Sequence, residues 1–339
     1  MTTPTETSRA RPAGAPARSA ARAICWLRSV DARLLSAPCP VCGGTERRVL
    51  MRRDRYFLKV DIAVCSECGC VHCSRHFDQL DEETFYAWVY PALMGKRGAT
   101  PTTEDGAAAA RSVYRLRRMR SVIGPLGDIL EIGSGFGHFL AACADEGIGA
   151  LHGIEPGARS SGGERTPGGI VDAIDATPLH HAAPPPFTPK IVVMFHVLEH
   201  FADPTAALSR VADWIAPDGW LVVEVPDILG NWGRLGVQNF HVSHRSYFSA
   251  DSLSRLLHQA GFHSVVIERE EDDFIYPGNL RIFARRRDGV DPASRANPDV
   301  EFIRRRIQRL APPWSFRNGY PRSMIRLVRL ALGMNKPPP

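Results

Sequence analysis

Two Cys-x-x-Cys-Gly motifs near the N-terminus have the spacing of metal ligands. After the first motif 22 residues intervene before the second, and the four cysteines are Cys39, Cys42, Cys65 and Cys68. Each turn can present two thiolates to one ion, and the following glycine can adopt the positive φ that folds the backbone over sulfur. Four thiolates complete a tetrahedron and leave no position for a substrate, so the motifs predict a structural zinc ribbon. Cys70 and Cys73 lie just beyond, and could replace a ligand or be spare.

Residues 128–137, Asp-Ile-Leu-Glu-Ile-Gly-Ser-Gly-Phe-Gly, form a second stretch whose residue types could bind a ligand. An apolar run of this length bounded by glycine predicts a short buried strand, and a helix is expected from about His138. Glycines allow a ligand to approach the backbone, and the helix N-terminus offers free N–H groups. The expected cofactor-binding residues in and just before this turn are Glu131, Gly133, Ser134, Gly135 and Gly137. Glu131 precedes the turn, where a carboxylate suits a ligand with a cationic end.

An acidic residue also ends the next predicted strand. Glu155 lies 18 residues after Gly137. In a nucleotide-binding βαβ unit, an acidic residue about 20 residues beyond the turn accepts hydrogen bonds from the ribose hydroxyls. The pair therefore predicts a nucleoside ligand, although it does not distinguish a dinucleotide from other nucleosides.

Histidines form the third group. His196 and His200 follow a predicted strand over residues 190–195, and His241 and His244 lie with Tyr247 in a polar loop over residues 240–249. Ligands of open α/β sheets bind beyond the carboxyl ends of the strands, and histidine can accept a proton near working pH. We expect a general base here, His241 first, with His244, Tyr247 and His200 as alternatives. The alternative for any one of them is a structural, hydrogen-bonded residue.

The elements that must position these residues alternate as in a doubly wound sheet. Strands are predicted at residues 128–132, 150–154, 170–174, 190–195, 220–225, 263–268 and 279–285. Helices are predicted from about 138 to 147, from Pro204, and from about 251 to 260.

Composition narrows the class of protein. The chain of 339 residues is 44% hydrophobic, which is enough for one large or two modest domains. No stretch approaches ~20 uninterrupted apolar residues, so no membrane span is expected, and the cytoplasm is the expected location. The formal charge of +6 could indicate nucleic acid or an anionic surface, or could reflect arginine-rich composition without a functional reason.

Four segments in order resemble the class I S-adenosylmethionine-dependent methyltransferases: Leu-Glu-Ile-Gly-Ser-Gly-Phe-Gly, Gly-Ile-Glu-Pro, Phe-His-Val-Leu-Glu-His-Phe-Ala-Asp-Pro, and Pro-Asp-Gly-Trp-Leu-Val-Val-Glu-Val-Pro. The resemblance implies a Rossmann-like, seven-stranded α/β sheet with S-adenosyl-L-methionine as the cofactor. It places Glu131 near the methionine moiety and Asp172 or Asp175 near the adenine amino group. His196 is expected beside the cofactor because it follows the carboxyl end of the predicted strand 190–195.

The cysteine motifs and the histidine loop together resemble the zinc-containing sugar C-methyltransferases. In those enzymes a Glu-His pair is implicated in proton removal, and Phe240 stands here in place of the glutamate. They also continue into a large C-terminal domain, whereas about 50 residues remain here, which puts a sugar substrate in doubt.

These observations predict five regions: a disordered leader (1–36), ending in a short amphipathic segment; a zinc ribbon (37–77); connecting helices or a lid (78–120); a methyltransferase domain (121–287); and a basic helical tail (288–339). Tyr86 and Tyr90 are candidates for the lid. An amphipathic helix at 322–332 is expected to pack on the protein itself, with a partner or an anionic membrane as alternatives.

The predicted function is methyl transfer to a small metabolite, such as a sugar nucleotide or natural-product intermediate, at carbon or oxygen and with a histidine base. Two alternatives remain. An RNA methyltransferase would account for the zinc ribbon and the arginines, and a non-catalytic zinc-stabilised binding protein would account for the irregular segment 158–169.

Overall fold

The computed structural model describes residues 16–94, 103–156, 174–230, 237–270, 278–287, 299–310, 324–325 and 327–329. The strands are β1 (Leu35–Ser36), β2 (Arg47–Met51), β3 (Ile62–Cys65), β4 (Val71–Cys73), β5 (Arg75–His76), β6 (Ile129–Ile132), β7 (Leu151–Ile154), β8 (Ile174–Asp175), β9 (Ile191–Phe195), β10 (Trp220–Pro226), β11 (Ser246–Tyr247), β12 (Phe262–Arg269) and β13 (Asn279–Arg286). The helices are α1 (Pro16–Val30), α2 (Gln79–Thr84), α3 (Tyr90–Met94), α4 (Thr103–Ile123), α5 (His138–Asp145), α6 (Pro204–Trp214), α7 (Ala250–Gln259) and α8 (Val300–Leu310).

The main sheet has seven strands in the order β12-β13-β10-β9-β6-β7-β8. Strands β8, β7, β6, β9 and β10 are parallel, and β13 runs antiparallel between β10 and β12. The predicted doubly wound α/β fold is confirmed. Strands β6 and β9 are buried throughout, because helices cover both faces of a sheet of this kind.

A smaller sheet has the order β11-β4-β3-β2. Strands β2, β3 and β4 come from the cysteine module, which we define as residues 37–77, whereas β11 comes from the predicted histidine loop. Ser246 pairs with His72, and Tyr247 with Val71. The sheet of the cysteine module therefore includes one strand, β11, from the histidine loop.

The prediction of a disordered leader through residue 36 is wrong for residues 16–30, which form α1. Ala23, Leu27 and Val30 are buried on one face of this helix, and the Trp26 ring lies 5.5 Å from the ring of Phe77. Their spacing, i, i+4 and i+7, places these apolar residues on one face of a helix. Residues 1–15 lie outside the described residues.

The apolar residues between the two cysteine motifs, 56–64, predict a strand, but β3 begins only at Ile62. Phe57 and Asp61 have φ values of 69° and 45°, which no continuous strand accommodates. The carboxylate of Asp54 accepts hydrogen bonds from the backbone of Tyr56 and Leu58, and this local turn replaces the strand.

The other predicted elements fall near their expected positions, with one exception. The predicted third strand is described only at Ile174–Asp175, because residues 157–173, including Asp172, lie outside the described residues. Of the predicted tail, α8 packs through Ile303 and Ile307 on the same core as α1, and Leu327 is buried in that core. Within the described residues, no helix is long and apolar enough to cross a membrane.

Candidate active site

The glycine turn, residues 133–137, lies at the carboxyl end of β6. Gly133, Gly135 and Gly137 have φ values of 75°, 54° and 75°, which other residues rarely adopt. A Cβ atom on Gly133 would lie 2.7 Å from Val197, whereas one on Gly135 would meet no described heavy atom within 4 Å. The turn is therefore closed against the protein at its first glycine and open to a ligand at its second.

The carboxylate of Glu155 faces this opening. Its Oε2 accepts a hydrogen bond from the backbone N–H of Gly135 at 2.9 Å. Glu155 and the turn, separated by about 20 residues of chain, thus come together as predicted for a nucleoside site.

Glu131 lies in β6 below the turn and is 4% exposed. Its Oε2 is buried and has no hydrogen-bond partner within the described part of the chain, and the same holds for Oγ of Ser134. Burial raises the pKa of Glu131 to about 8; the positive charge of Arg115 works against this rise, and the negative charge of Glu155 adds to it. Glu131 is therefore a buried carboxylate with one oxygen that accepts no hydrogen bond from the described residues, and a cationic ligand group beside it would stabilise its charged form.

Asp175 and His196 flank the turn on its two sides. Asp175 ends β8, next to Ile154 of β7, and its Oδ1 accepts a hydrogen bond from the backbone of Thr177 at 2.8 Å. His196 follows β9 with φ 56°, and its ring lies between two carboxylates, 3.6 Å from Glu199 and 3.5 Å from Glu224.

Glu224 is fully buried in β10 and belongs to an ion-pair cluster that was not predicted. It accepts hydrogen bonds from the guanidinium groups of Arg115 of α4 and Arg281 of β13. Burial alone would raise its pKa, but the two arginines, with His196, hold it well below the usual range. A charged residue inside the apolar run 220–225 was the signal available in the sequence, because a buried charge needs a partner.

The predicted histidines form one cluster. The ring centroids of His241 and His244 are 3.9 Å apart, and those of His200 and His244 are 4.7 Å apart. Nδ1 of His200 lies 2.7 Å from the carbonyl oxygen of Ser243, and Nδ1 of His241 forms a hydrogen bond with the hydroxyl of Ser243. Burial and the nearby His200 hold the pKa of His244 well below its usual value, so this imidazole is neutral.

Tyr247 holds the backbone of this loop. Its hydroxyl accepts a hydrogen bond from the N–H of His241 and donates one to the carbonyl oxygen of the same residue. Burial raises the pKa of Tyr247 well above its usual value, so the hydroxyl keeps its proton. Among the four predicted base candidates, Tyr247 is thus placed as a support for the histidines.

The cysteine module and the connecting helices hold the rest of the histidine loop, residues 240–249. Oδ2 of Asp54 accepts a hydrogen bond from the N–H of Val242 at 2.9 Å, and the Sγ of Cys73 donates to the carbonyl oxygen of His244 at 3.2 Å. Glu82 forms an ion pair with Arg245 at 2.9 Å. Burial raises the pKa of Asp54 to about 7, although three backbone N–H groups oppose the rise. Nothing in the local sequence marks Asp54 as a partner of a loop nearly 190 residues away.

Of the two predicted lid tyrosines, Tyr86 reaches the loop. Its hydroxyl donates to the carbonyl oxygen of Ser243 at 3.3 Å and lies 3.5 Å from Nδ1 of His200. The ring of Tyr90 lies 5.9 Å from that of Tyr86, one step further from the histidines.

The four motif cysteines come together, with their sulfur atoms all within 4.8 Å of one another. The Cys39–Cys68 and Cys42–Cys65 sulfur pairs are 3.5 Å apart, close to the roughly 3.8 Å that Zn–S bonds of about 2.3 Å impose on a tetrahedron. Both knuckle glycines, Gly43 and Gly69, have φ 73°. The donor set therefore fits zinc, while Cys73 is placed under the histidine loop instead.

Comparison with known proteins gives one family match. Residues 107–266 match a family described as "Methyltransferase domain". No curated protein matches the chain.

Solved structures give further similarities. A 1,6-didemethyltoxoflavin-N1-methyltransferase from Burkholderia thailandensis is 16% identical, with a TM-score of 0.45 over 65% of this chain and 95% of that one. The magnesium protoporphyrin IX methyltransferase of Synechocystis is 12% identical, with a TM-score of 0.44 over 62% of this chain and 100% of that one. A methyltransferase from Archaeoglobus fulgidus is 19% identical, with a TM-score of 0.41 over 52% of this chain and 94% of that one.

Proposed function

We propose that the chain, whose residues 107–266 match a family described as "Methyltransferase domain", uses S-adenosyl-L-methionine to methylate a small-molecule acceptor held at the histidine loop. One observation carries the choice of donor. The open glycine turn lies next to two carboxylates: that of Glu131, whose Oε2 is buried and accepts no hydrogen bond from the described residues, and that of Glu155.

These groups match the donor chemically. Glu131 would bind its ammonium group, since the cation stabilises the buried carboxylate in the charged form. Glu155 would accept hydrogen bonds from the ribose hydroxyls, and Gly135 leaves room for the ligand beside the backbone. Asp175 and His196 flank this space and are proposed as further contacts with the nucleoside and the methionine part, respectively.

S-adenosylmethionine supplies a methyl group on a positively charged sulfur. The task of the protein is to align the acceptor with it and to take the acceptor's proton. We assign the role of proton acceptor to His241. Hydrogen bonds with Tyr247 fix its backbone, and the Ser243 hydroxyl orients its ring.

The enclosure of the histidines supports a small acceptor. His241 and His244 are 5% and 7% exposed, too enclosed for a base within a polynucleotide unless it is flipped out of the chain. A sugar nucleotide or a natural-product intermediate, methylated at carbon or oxygen, remains our proposal for the acceptor.

We further propose that the four cysteines hold a structural zinc ion. Thiolate ligands of this kind persist in a reducing compartment, which supports a cytoplasmic location.

Calorimetric titration with S-adenosylhomocysteine tests the donor site. Gly135→Val should lower the affinity at least about 100-fold, because the side chain occupies the opening and the turn is strained. Gly124→Val is the matched control, since Gly124 also has positive φ (89°) and open space around its Cβ position but ends α4. Equal affinities for Gly135→Val and the unmodified protein would refute the donor site.

The base is tested once mass spectrometry has identified an acceptor from a panel of candidates. His241→Asn should lower kcat at least about 100-fold and leave the KM for the donor within threefold, since its role lies in proton removal. A fall in donor affinity alone would contradict this role.

A further inference from the structure

A carboxylate and two histidines meet where β9 and the histidine loop approach each other. Glu199 and His200 come from the short helical turn Leu198–His200 after β9, and His244 comes from the loop. One ligand atom from each lies within 4.8 Å of the others. Glu199 and His244 are 1% and 7% exposed, so water reaches little of this group.

Three polar atoms of this group, two from Glu199 and one from His244, lack hydrogen-bond partners among the described residues. Both carboxylate oxygens of Glu199 and Nδ1 of His244 are buried without a hydrogen bond from any described residue. His196, Tyr86 and Arg55 are further titratable or charged groups near this cluster. Nδ1 of His196 forms a 3.6 Å ion-pair contact with Oε1 of Glu199, longer than a hydrogen bond, and no described residue donates a hydrogen bond to this carboxylate. Burial of a carboxylate that accepts no hydrogen bond is unfavourable, and a cation bound by this group would offset that cost.

His200 is already oriented as metal-bound histidines are. A carbonyl oxygen can only accept, so the 2.7 Å contact with Ser243 requires the proton on Nδ1 and leaves the lone pair on Nε2. Histidine ligands of metals commonly donate their second N–H to a carbonyl or carboxylate, which fixes the tautomer and the ring.

We propose that Glu199, His200 and His244 bind a divalent transition metal ion, separate from the cysteine centre. Two imidazoles and one carboxylate suit zinc, iron, cobalt or nickel, and three protein ligands leave coordination positions open. Metal–ligand bonds of about 2.1 Å separate ligand atoms by at most about 4.2 Å, so the side chains need to draw together by less than about 1 Å.

This site defines a class of acceptor, an inference that rests on the proposed function. A metal beside His241 would bind a hydroxyl or enol oxygen of the acceptor and lower its pKa, and the released proton would pass to His241. The favoured acceptors therefore carry two neighbouring oxygen atoms that can chelate a metal, as in a catechol, a hydroxy ketone or a vicinal diol.

Cobalt titration of the purified protein, with zinc retained in the cysteine centre, tests the site directly. We expect one equivalent of Co²⁺ to give visible d–d absorption without the near-ultraviolet thiolate bands that a cysteine site would add. Glu199→Gln and His244→Gln should each weaken this binding at least about 100-fold, because each removes a ligand. His181→Asn, an exposed histidine outside the cluster, is the control and should bind as the unmodified protein does.

Each outcome decides the proposal. Absence of this absorption, or absorption that persists in both ligand variants, overturns the metal site. Glu199→Gln keeps the size of the side chain, so its melting temperature and its affinity for S-adenosylhomocysteine show whether it is folded. Methyl transfer with unchanged rate after removal of the second metal would refute the role in acceptor binding while leaving the proposed methyltransferase intact.

Discussion

The glycine turn and the histidine loop differ in where their supporting contacts come from. The turn depends on β6, β7 and α5, which follow one another along the chain, and Glu155 closes it from 20 residues away. The loop is held by Asp54, Cys73, Glu82 and Tyr86, all more than 150 residues earlier in the sequence. The proposed donor side is thus a local structure, and the proposed acceptor side is assembled from distant parts of the chain.

This difference separates two kinds of mutation. Changes in the glycine turn should affect donor binding with little effect on the acceptor side. Changes in the cysteine module, although it lies outside the methyltransferase match, should affect acceptor turnover, because the module holds the loop in place. Three predictions test this separation.

Loss of a zinc ligand should have the largest effect. Cys65→Ser should remove one equivalent of zinc and lower the free energy of unfolding by more than about 3 kcal/mol, because the cysteine module loses its cross-link. Acceptor methylation should fall much further than affinity for S-adenosylhomocysteine. Metal analysis, thermal unfolding and calorimetry measure these quantities, and Cys25→Ser, at an exposed cysteine, is the control. An equal fall in acceptor methylation and in affinity for S-adenosylhomocysteine would show that the two sides are not separable.

Asp54→Asn should have an intermediate effect. Both carboxylate oxygens accept backbone N–H groups, so an amide must turn its own N–H toward one of them. We expect a loss of about 2 to 3 kcal/mol in the free energy of unfolding and at least tenfold lower acceptor turnover, with donor affinity retained. Denaturant unfolding and steady-state kinetics measure this, with exposed Asp213→Asn as the control. Unchanged turnover would show that the hydrogen bond from Val242 to Asp54 is not required to position the histidine loop.

Proton release on donor binding is the smallest effect and tests the turn alone. With its pKa raised to about 8, Glu131 is roughly nine-tenths protonated at pH 7, and an ammonium ion bound beside it favours the carboxylate. Binding of S-adenosylhomocysteine at pH 7 should therefore release close to one proton, and its affinity should increase as the pH rises from 6 toward 8.

Calorimetry in buffers with different ionisation enthalpies measures this release. Glu131→Gln should abolish the part that comes from Glu131. The same proton release in the variant and the unmodified protein would show that another group titrates.

The same difference between local and distant contacts determined which parts of the structure could be predicted from the sequence. The seven-stranded fold was predictable because periodic apolar runs and glycine stops are local signals, and the contacts among Glu131, the glycine turn and Glu155 follow from strand order. The cysteine cluster was predictable for the same reason, since each knuckle is a short motif.

Contacts between distant segments were not predictable. The tie from Asp54 to Val242 and the pairing of β11 with β4 join segments that carry no local sign of each other. The ion pair from Arg115 to Glu224 left a partial signal, a charge within an apolar strand, but its partner could not be chosen among the many arginines of α4. Only a short amphipathic segment was predicted where the whole of α1 forms, because alanine and arginine suit both a helix and a disordered segment.

The shared sheet has a consequence for synthesis on the ribosome. Strand β4 emerges early, but its partner β11 is made roughly 170 residues later. At about 5 to 20 residues per second, the edge of β4 waits roughly 10 to 30 s without its neighbour, and an unpaired strand edge invites association with other chains. Early metal capture by the four cysteines would protect the nascent chain during this interval, so zinc supply during translation should govern the yield of folded protein.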